Sequence, residues 1–74
     1  MAIFNVSARD GSVSLVIRAR CMSCARQLAA DRSPVHEKRL WRDPEMSSVE
    51  LVDHPERLGY FSEGMNGILK RITT

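Results

Sequence analysis

The chain has 74 residues, which allow a single domain with a small hydrophobic core. Hydrophobic residues make up 43% and charged residues 27%, a balance typical of folded globular proteins rather than disordered chains. No apolar run reaches the roughly 20 residues that cross a bilayer, and no basic segment followed by an apolar core opens the chain. The sequence therefore predicts one domain over residues 1–74, with no membrane contact and a cytoplasmic location.

Charge is distributed unevenly around a net value of +2. Residues 1–42 hold eight of the eleven lysines and arginines and three of the nine acids, whereas residues 43–74 hold three and six. A basic half can meet nucleic acid or an acidic protein surface. The two halves can equally neutralise each other within one fold or across a dimer.

The N-terminal segment predicts a β-hairpin with strands at 3–9 and 12–20. Asp10-Gly11 is a strong signal for a two-residue type I′ turn. This turn sorts apolar residues onto one face of the hairpin, where it pairs Ala8 with Val13, Val6 with Leu15, and Phe4 with Ile17.

A short helix is expected over about 22–32, with Ser23 as its N-cap and Ser33-Pro34 as its end. Beyond it, the pattern predicts a strand at 36–42, a turn at Asp43-Pro44, and a strand at 48–53. Pro55 should open a short helical turn that ends at Gly59.

The C-terminal segment fits two structures. Apolar residues at 65, 68, 69 and 72 match a helical stripe, but Asn66-Gly67 is a strong hairpin signal. We favour a hairpin, in which Met65 faces Ile68 and Phe61 faces Ile72. The predicted fold is a small single α+β domain, in which an antiparallel sheet made of the N-terminal hairpin and the C-terminal strands packs against one short helix.

The motif Cys21-Met22-Ser23-Cys24 places two thiols at a strand-to-helix junction, where helix N-terminal amides favour thiolate. Two cysteines at this spacing can chelate zinc. The histidines that could complete a tetrahedral site are His36 and His54. Zinc is therefore the one cofactor that the sequence suggests.

The same motif has two other chemical interpretations. The order strand, Cys-x-x-Cys, helix resembles that of thioredoxin-like proteins, which implies dithiol redox chemistry, but those proteins also place a proline opposite the cysteines and the three prolines here lie in other contexts. Residues 13–25 also resemble heavy-metal-associated domains, which implies soft-metal transfer. That family usually has Met two places before the first cysteine, where this chain has Ala19.

Packing is the simplest interpretation of both cysteines. Cys21 continues the apolar parity of the preceding strand, and Cys24 lies one helical turn before Leu28.

Macromolecular binding is the remaining hypothesis. Trp41, flanked by Arg39 and Arg42, could stack on a nucleobase, although a lone Trp in a small protein more often anchors the core. The candidate binding residues are Arg18, Arg20, Arg26, Arg39, Trp41 and Arg42.

The sequence contains no phosphate-binding loop and no nucleophile signature, so we expect no enzyme activity. The favoured function is a small binding or regulatory module that contacts another macromolecule, most simply a protein. A zinc or dithiol site and nucleic-acid binding are the alternatives. Because small sheets leave open edges, we also expect a homodimer.

Overall fold

A computed structural model describes residues 1–74. In chain order it contains β1 (Ala2–Ala8), β2 (Val13–Ala19), α1 (Met22–Arg32), α2 (Lys38–Arg42), β3 (Ser47–Leu51) and β4 (Gly67–Thr73). Short 3-10 helices span Val35–Glu37 and Pro55–Leu58. The strands form one sheet in the order β3-β1-β2-β4, with all neighbours antiparallel. The predicted α+β class is confirmed, with a second short helix added. None of the helices is long and apolar enough to span a membrane.

The N-terminal hairpin has the predicted register. Phe4 lies opposite Ile17, and Val6 lies opposite Leu15. The type I′ turn is wrong, because only Gly11 has a positive φ, at 80°. The amide of Gly11 instead donates to the carbonyl of Ala8. The chain thus makes a four-residue loop that preserves the same strand pairing.

The main core lies between one face of the sheet and the two α-helices. It combines the inward residues of β1 and β2 with three alanines of α1 and with Trp41, which is fully buried. Alanines let α1 approach the sheet closely. Cys21, not Ser23, is the N-cap of α1, since its sulfur accepts from the amide of Cys24. The helix ends at Ser33 before Pro34, as predicted.

The predicted strand at 36–42 is wrong, because these residues form the end of a 3-10 helix and then α2. Helical backbone brings Glu37 and Trp41 onto the same side, where the indole Nε1 donates to the Glu37 carboxylate at 3.2 Å. The helical backbone thereby places Trp41 in the core, where it is fully buried. The Asp43-Pro44 turn, a strand at 47–51, and the 3-10 turn from Pro55 to Gly59 agree with the sequence predictions.

The predicted C-terminal hairpin is wrong, although its second strand exists. β4 pairs with β2 rather than with residues 60–66. β2 is a long strand whose inward residues belong to the core, and β4 pairs along its open edge. Residues 52–66 therefore form a long connection that carries the chain from one edge of the sheet to the other.

This connection partly covers the second face of the sheet. Ile3 and Val16 have the opposite parity from the core residues of their strands, yet they are only 1% and 8% exposed. Leu58 and Tyr60 of the connection share a cavity of about 320 Å³ with Val16 and with Ile72 of β4. The second face is thus a small, incompletely filled apolar layer.

Candidate functional site

Three regions contain the residues with chemical or binding potential: the cysteine corner, the arginines, and the long connection. The cysteine corner lies where β2 ends and α1 begins. Cys21 and Cys24 form a disulfide, and the chain has no free cysteine. Cys24 is exposed and Cys21 is half-buried. The amide of Cys24 lies 3.1 Å from Cys21 Sγ, and the Ser23 hydroxyl lies 3.2 Å from the same sulfur. The two sulfurs therefore differ in both exposure and hydrogen bonding.

The four predicted zinc ligands do not form a metal centre in this structure. Cys21 and Cys24 are bonded to each other, and no group of three or more His, Cys, Asp or Glu side chains is positioned to hold a metal ion. His36 is exposed near Glu37, with Nε2 and Oε2 3.8 Å apart. His54 is exposed near Glu56, with Nδ1 and Oε1 3.6 Å apart. The two histidines belong to different 3-10 segments, at Val35–Glu37 and just before Pro55–Leu58.

Arg26, a predicted binding residue, instead forms part of the protein's internal structure. Its guanidinium donates to the carbonyl of Trp41 at 2.9 Å, to Ser47 Oγ at 2.7 Å and to the Ser47 carbonyl at 3.1 Å. A longer contact of 3.4 Å reaches the carbonyl of Asp43. Because these acceptors span the loop between α2 and β3, Arg26 joins α1 to that loop. Its Nη1 and Nη2 groups are therefore engaged by acceptors of the chain itself.

Trp41 is also unsuitable for stacking on a nucleobase, since it is completely buried. The other predicted arginines differ from one another. The Arg18 side chain donates within the chain, whereas the side chains of Arg20, Arg39 and Arg42 are exposed and make no hydrogen bond or ion pair. The predicted six-residue surface is thus reduced to three free cations.

The structure also contains an exposed apolar surface that was not predicted from the sequence. Several of the most exposed large hydrophobic residues belong to the long connection: Leu58 is 66% exposed, Phe61 68% and Met65 83%. Ile72 of β4 is 43% exposed and lines the same cavity as Leu58 and Tyr60. We call Leu58, Tyr60, Phe61, Met65 and Ile72 the connection surface. The predicted C-terminal hairpin paired Phe61 with Ile72, so the sequence prediction gave no sign of this surface. Leu58, Phe61 and Met65 nevertheless lie in a turn-rich segment, where exposed apolar side chains are unexpected.

Arg18 holds the connection surface against the sheet. Its Nε donates to the carbonyl of Phe61 at 2.8 Å, and its Nη1 donates to the carbonyl of Met65 at 3.1 Å. Gly64 makes room for this contact, because a Cβ there would lie 2.8 Å from Arg18 Nη1. Gly64 also has a φ of +116°, which side chains rarely adopt. A charged side chain of β2 therefore fixes an otherwise irregular segment.

The polar side chains beside the connection surface carry both signs of charge. The segment 52–66 contains Asp53, Glu56 and Glu63 but only one arginine. Glu56 and Glu63 line a shallow pocket with Tyr60 and Phe61. The free cations Arg39 and Arg42 lie on α2, on the other face of the sheet. Lys70 of β4 lines the cavity that Leu58, Tyr60 and Ile72 share, so a cation lies close to these acids.

Glu37 and Arg71 form the principal ion pair of the chain. The guanidinium of Arg71 contacts both carboxylate oxygens, at 2.9 and 2.5 Å. This hydrogen bonding lowers the pKa of Glu37 and raises the pKa of Arg71, while the indole of Trp41 lowers the pKa of Glu37 further. The pair joins β4 to the start of α2. It therefore holds the last strand of the sheet against the helical segment.

Comparison with protein-family models, with curated proteins and with solved structures finds no match, so the proposals that follow depend on the residues and geometry of this chain.

Proposed function

We propose that this chain is a non-enzymatic binding module that docks on another protein through the connection surface. The observation that carries the proposal is the exposure of Leu58, Phe61 and Met65 on one irregular segment. Isolated surface hydrophobics are common. Here Leu58, Tyr60 and Ile72 share one cavity, Tyr60 and Phe61 share another, and grouped exposed apolar residues are characteristic of interaction sites. The Arg18 hydrogen bonds support the proposal further, because a segment held in place loses less conformational entropy on binding.

The partner that fits this surface is an apolar protein surface with a basic rim. Glu56 and Glu63 flank the aromatic side chains of the connection, so a basic partner gains electrostatic complementarity. A specific interface commonly buries about 800 Å² per partner, out of a total accessible surface of 4816 Å² here. An interface of that size would cover about one sixth of the surface of this chain.

Self-association remains a separate prediction, and the sheet edges are its natural route. β3 and β4 are both edge strands. β4 carries Lys70 and Arg71, and charged residues on an edge oppose strand pairing between copies. Sedimentation at micromolar concentration distinguishes the monomer from the homodimer expected from the sequence.

Site-specific photo-crosslinking in the source cells tests the docking surface. The experiment replaces Phe61 with p-benzoylphenylalanine and, as a matched control, places the same residue at Val35, which is 80% exposed near the helices. We expect one crosslinked partner at position 61 and not at position 35. Excess unlabelled wild-type protein should compete, whereas a Leu58→Ser/Phe61→Ser double variant that remains folded should not.

Three results would contradict the proposal. They are equal crosslinking at both positions, full competition by the folded double variant, or a product consisting of two copies of this chain. Nucleic-acid binding by Arg20, Arg39 and Arg42 is the alternative prediction. It requires an affinity that falls steeply with salt, and wild-type protein that binds no labelled oligonucleotide at low salt would remove it.

A further inference from the structure

The disulfide at the start of α1 has two chemically distinct sulfurs. Cys24 is exposed, so an attacking thiol can reach its Sγ from solvent. Beside it lies an open groove of about 450 Å³ lined by Ser23, Gln27, Leu28 and Asn66. Amide and hydroxyl groups next to an aliphatic side chain suit a small peptide-like thiol. Access to the half-buried Cys21 is more restricted.

Cys21 is the better leaving group. Its Sγ already accepts from the Cys24 amide at 3.1 Å, at the N-cap of an eleven-residue helix. Hydrogen bonding of this kind and the helix dipole both favour a thiolate. Thiol–disulfide exchange is faster when the departing sulfur is the more stable thiolate. Exposure and hydrogen bonding therefore favour the same direction of attack.

We propose that Cys21 and Cys24 form a reversible thiol–disulfide exchange site whose substrate is a low-molecular-weight peptidyl thiol of the glutathione class. A substrate thiolate attacks Cys24 Sγ, the bond between the two protein sulfurs breaks, and its electron pair remains on Cys21 Sγ. A second thiolate attacks the substrate sulfur of the mixed disulfide and expels the Cys24 thiolate. Each protein thiolate takes a proton that the substrate thiols released to solvent. Two substrate thiols are thereby oxidised to one disulfide, and the protein disulfide is reduced to two thiols.

The fold accommodates both redox states. The N-cap interaction uses a sulfur lone pair of Cys21 and the Cys24 amide, and neither group depends on the disulfide bond. The ring that the disulfide closes is short, with a sequence separation of 3. It constrains the unfolded chain far less than a long-range crosslink would. Reduction should therefore leave the sheet and both α-helices in place.

The first test equilibrates wild-type protein in glutathione buffers that range from fully oxidised to fully reduced. Thiols are then trapped by alkylation and counted by intact mass. We expect complete and reversible conversion, with unchanged far-UV circular dichroism and Trp41 fluorescence in the reduced form. A disulfide that persists in fully reduced glutathione, or a reduced chain that unfolds, would show a structural crosslink and overturn the proposal.

The second test identifies the sulfur that is attacked. A brief pulse of reduced glutathione is followed by alkylation, and the tryptic peptide spanning residues 21–26 is fragmented. We expect glutathione on Cys24 and the alkyl group on Cys21. Matched single-thiol variants provide the control: Cys21 in Cys24→Ser should be alkylated at lower pH than Cys24 in Cys21→Ser, because its sulfur accepts the N-cap hydrogen bond. Glutathione on Cys21, or alkylation in the reverse order of pH, would contradict the assignment.

Discussion

Replacing Arg26 with methionine tests whether this arginine is structural, as its contacts indicate, or available for binding. Methionine retains an apolar stem but removes the guanidinium that donates to Trp41, to Ser47 Oγ and to the Ser47 carbonyl. A hydrogen bond to a charged group contributes about 1.5–3 kcal/mol. The three short bonds share one part-buried group and do not add fully, so we expect a loss of about 3 kcal/mol in the free energy of unfolding. A chain of this length has roughly 4–11 kcal/mol in total.

Urea denaturation followed by the fluorescence of buried Trp41 measures this loss. Arg20→Met is the matched control, because Arg20 is exposed and makes no contact of this kind, and its effect should stay within about 0.5 kcal/mol. A loss below about 1 kcal/mol in Arg26→Met would refute the structural role. It would return Arg26 to the set of residues available to a partner.

Three further predictions concern the disulfide, the ion pair and the connection. Reduction of the Cys21–Cys24 disulfide should lower the free energy of unfolding by only about 2 kcal/mol, since a four-residue ring restricts the unfolded chain weakly. A loss above about 4 kcal/mol in chemical denaturation would contradict this prediction. Because the pKa of Glu37 is lowered in the folded state, its contribution should be complete above the unfolded pKa of about 4.3 and decline as the pH falls through the folded pKa. Wild type should accordingly lose its stability advantage over Glu37→Gln in that acidic range, and a difference that grows on acidification would be inconsistent with the ion pair. Gly64→Ala should speed hydrogen exchange in residues 59–66 by roughly 5- to 30-fold, because the added Cβ displaces Arg18. Gly59→Ala, whose Cβ would meet no atom within 4 Å, should have the smaller effect. Equal effects would mean that Arg18 does not hold the connection.

The docking proposal and the exchange proposal rely on different residues, so each can fail alone. Leu58 and Phe61 lie on the connection, and Cys21 and Cys24 lie at the start of α1. The Leu58→Ser/Phe61→Ser variant should retain glutathione exchange, and Cys24→Ser should retain crosslinking at position 61. Joint loss in a folded variant would indicate that the two sites are coupled.

The candidate site was only partly predictable. Cys-x-x-Cys is visible in the sequence, and its position between β2 and α1 follows from the hairpin register. The sequence could not show which sulfur is exposed, because that depends on how α1 packs against the sheet. The arginines illustrate the same difficulty: Arg26 and Arg39 are alike in sequence, but one donates to Ser47 and the other remains free.

Local patterning by itself determined the N-terminal hairpin, the extent of α1 and the short helical turn at Pro55. In each case the determining interactions lie within a few residues: paired apolar side chains across a turn, a proline after a helix end, and a proline at a first helical position. Only the tertiary structure decided the state of residues 36–42 and 60–66. Residues 38–42 form a helix that buries Trp41 in a core built from distant strands, and β4 pairs with β2 rather than with residues 60–66. That long-range pairing leaves Phe61 and Met65 exposed on the connection. A strand joins a sheet edge where it completes hydrogen bonds and burial, and this partner need not be its neighbour in the chain.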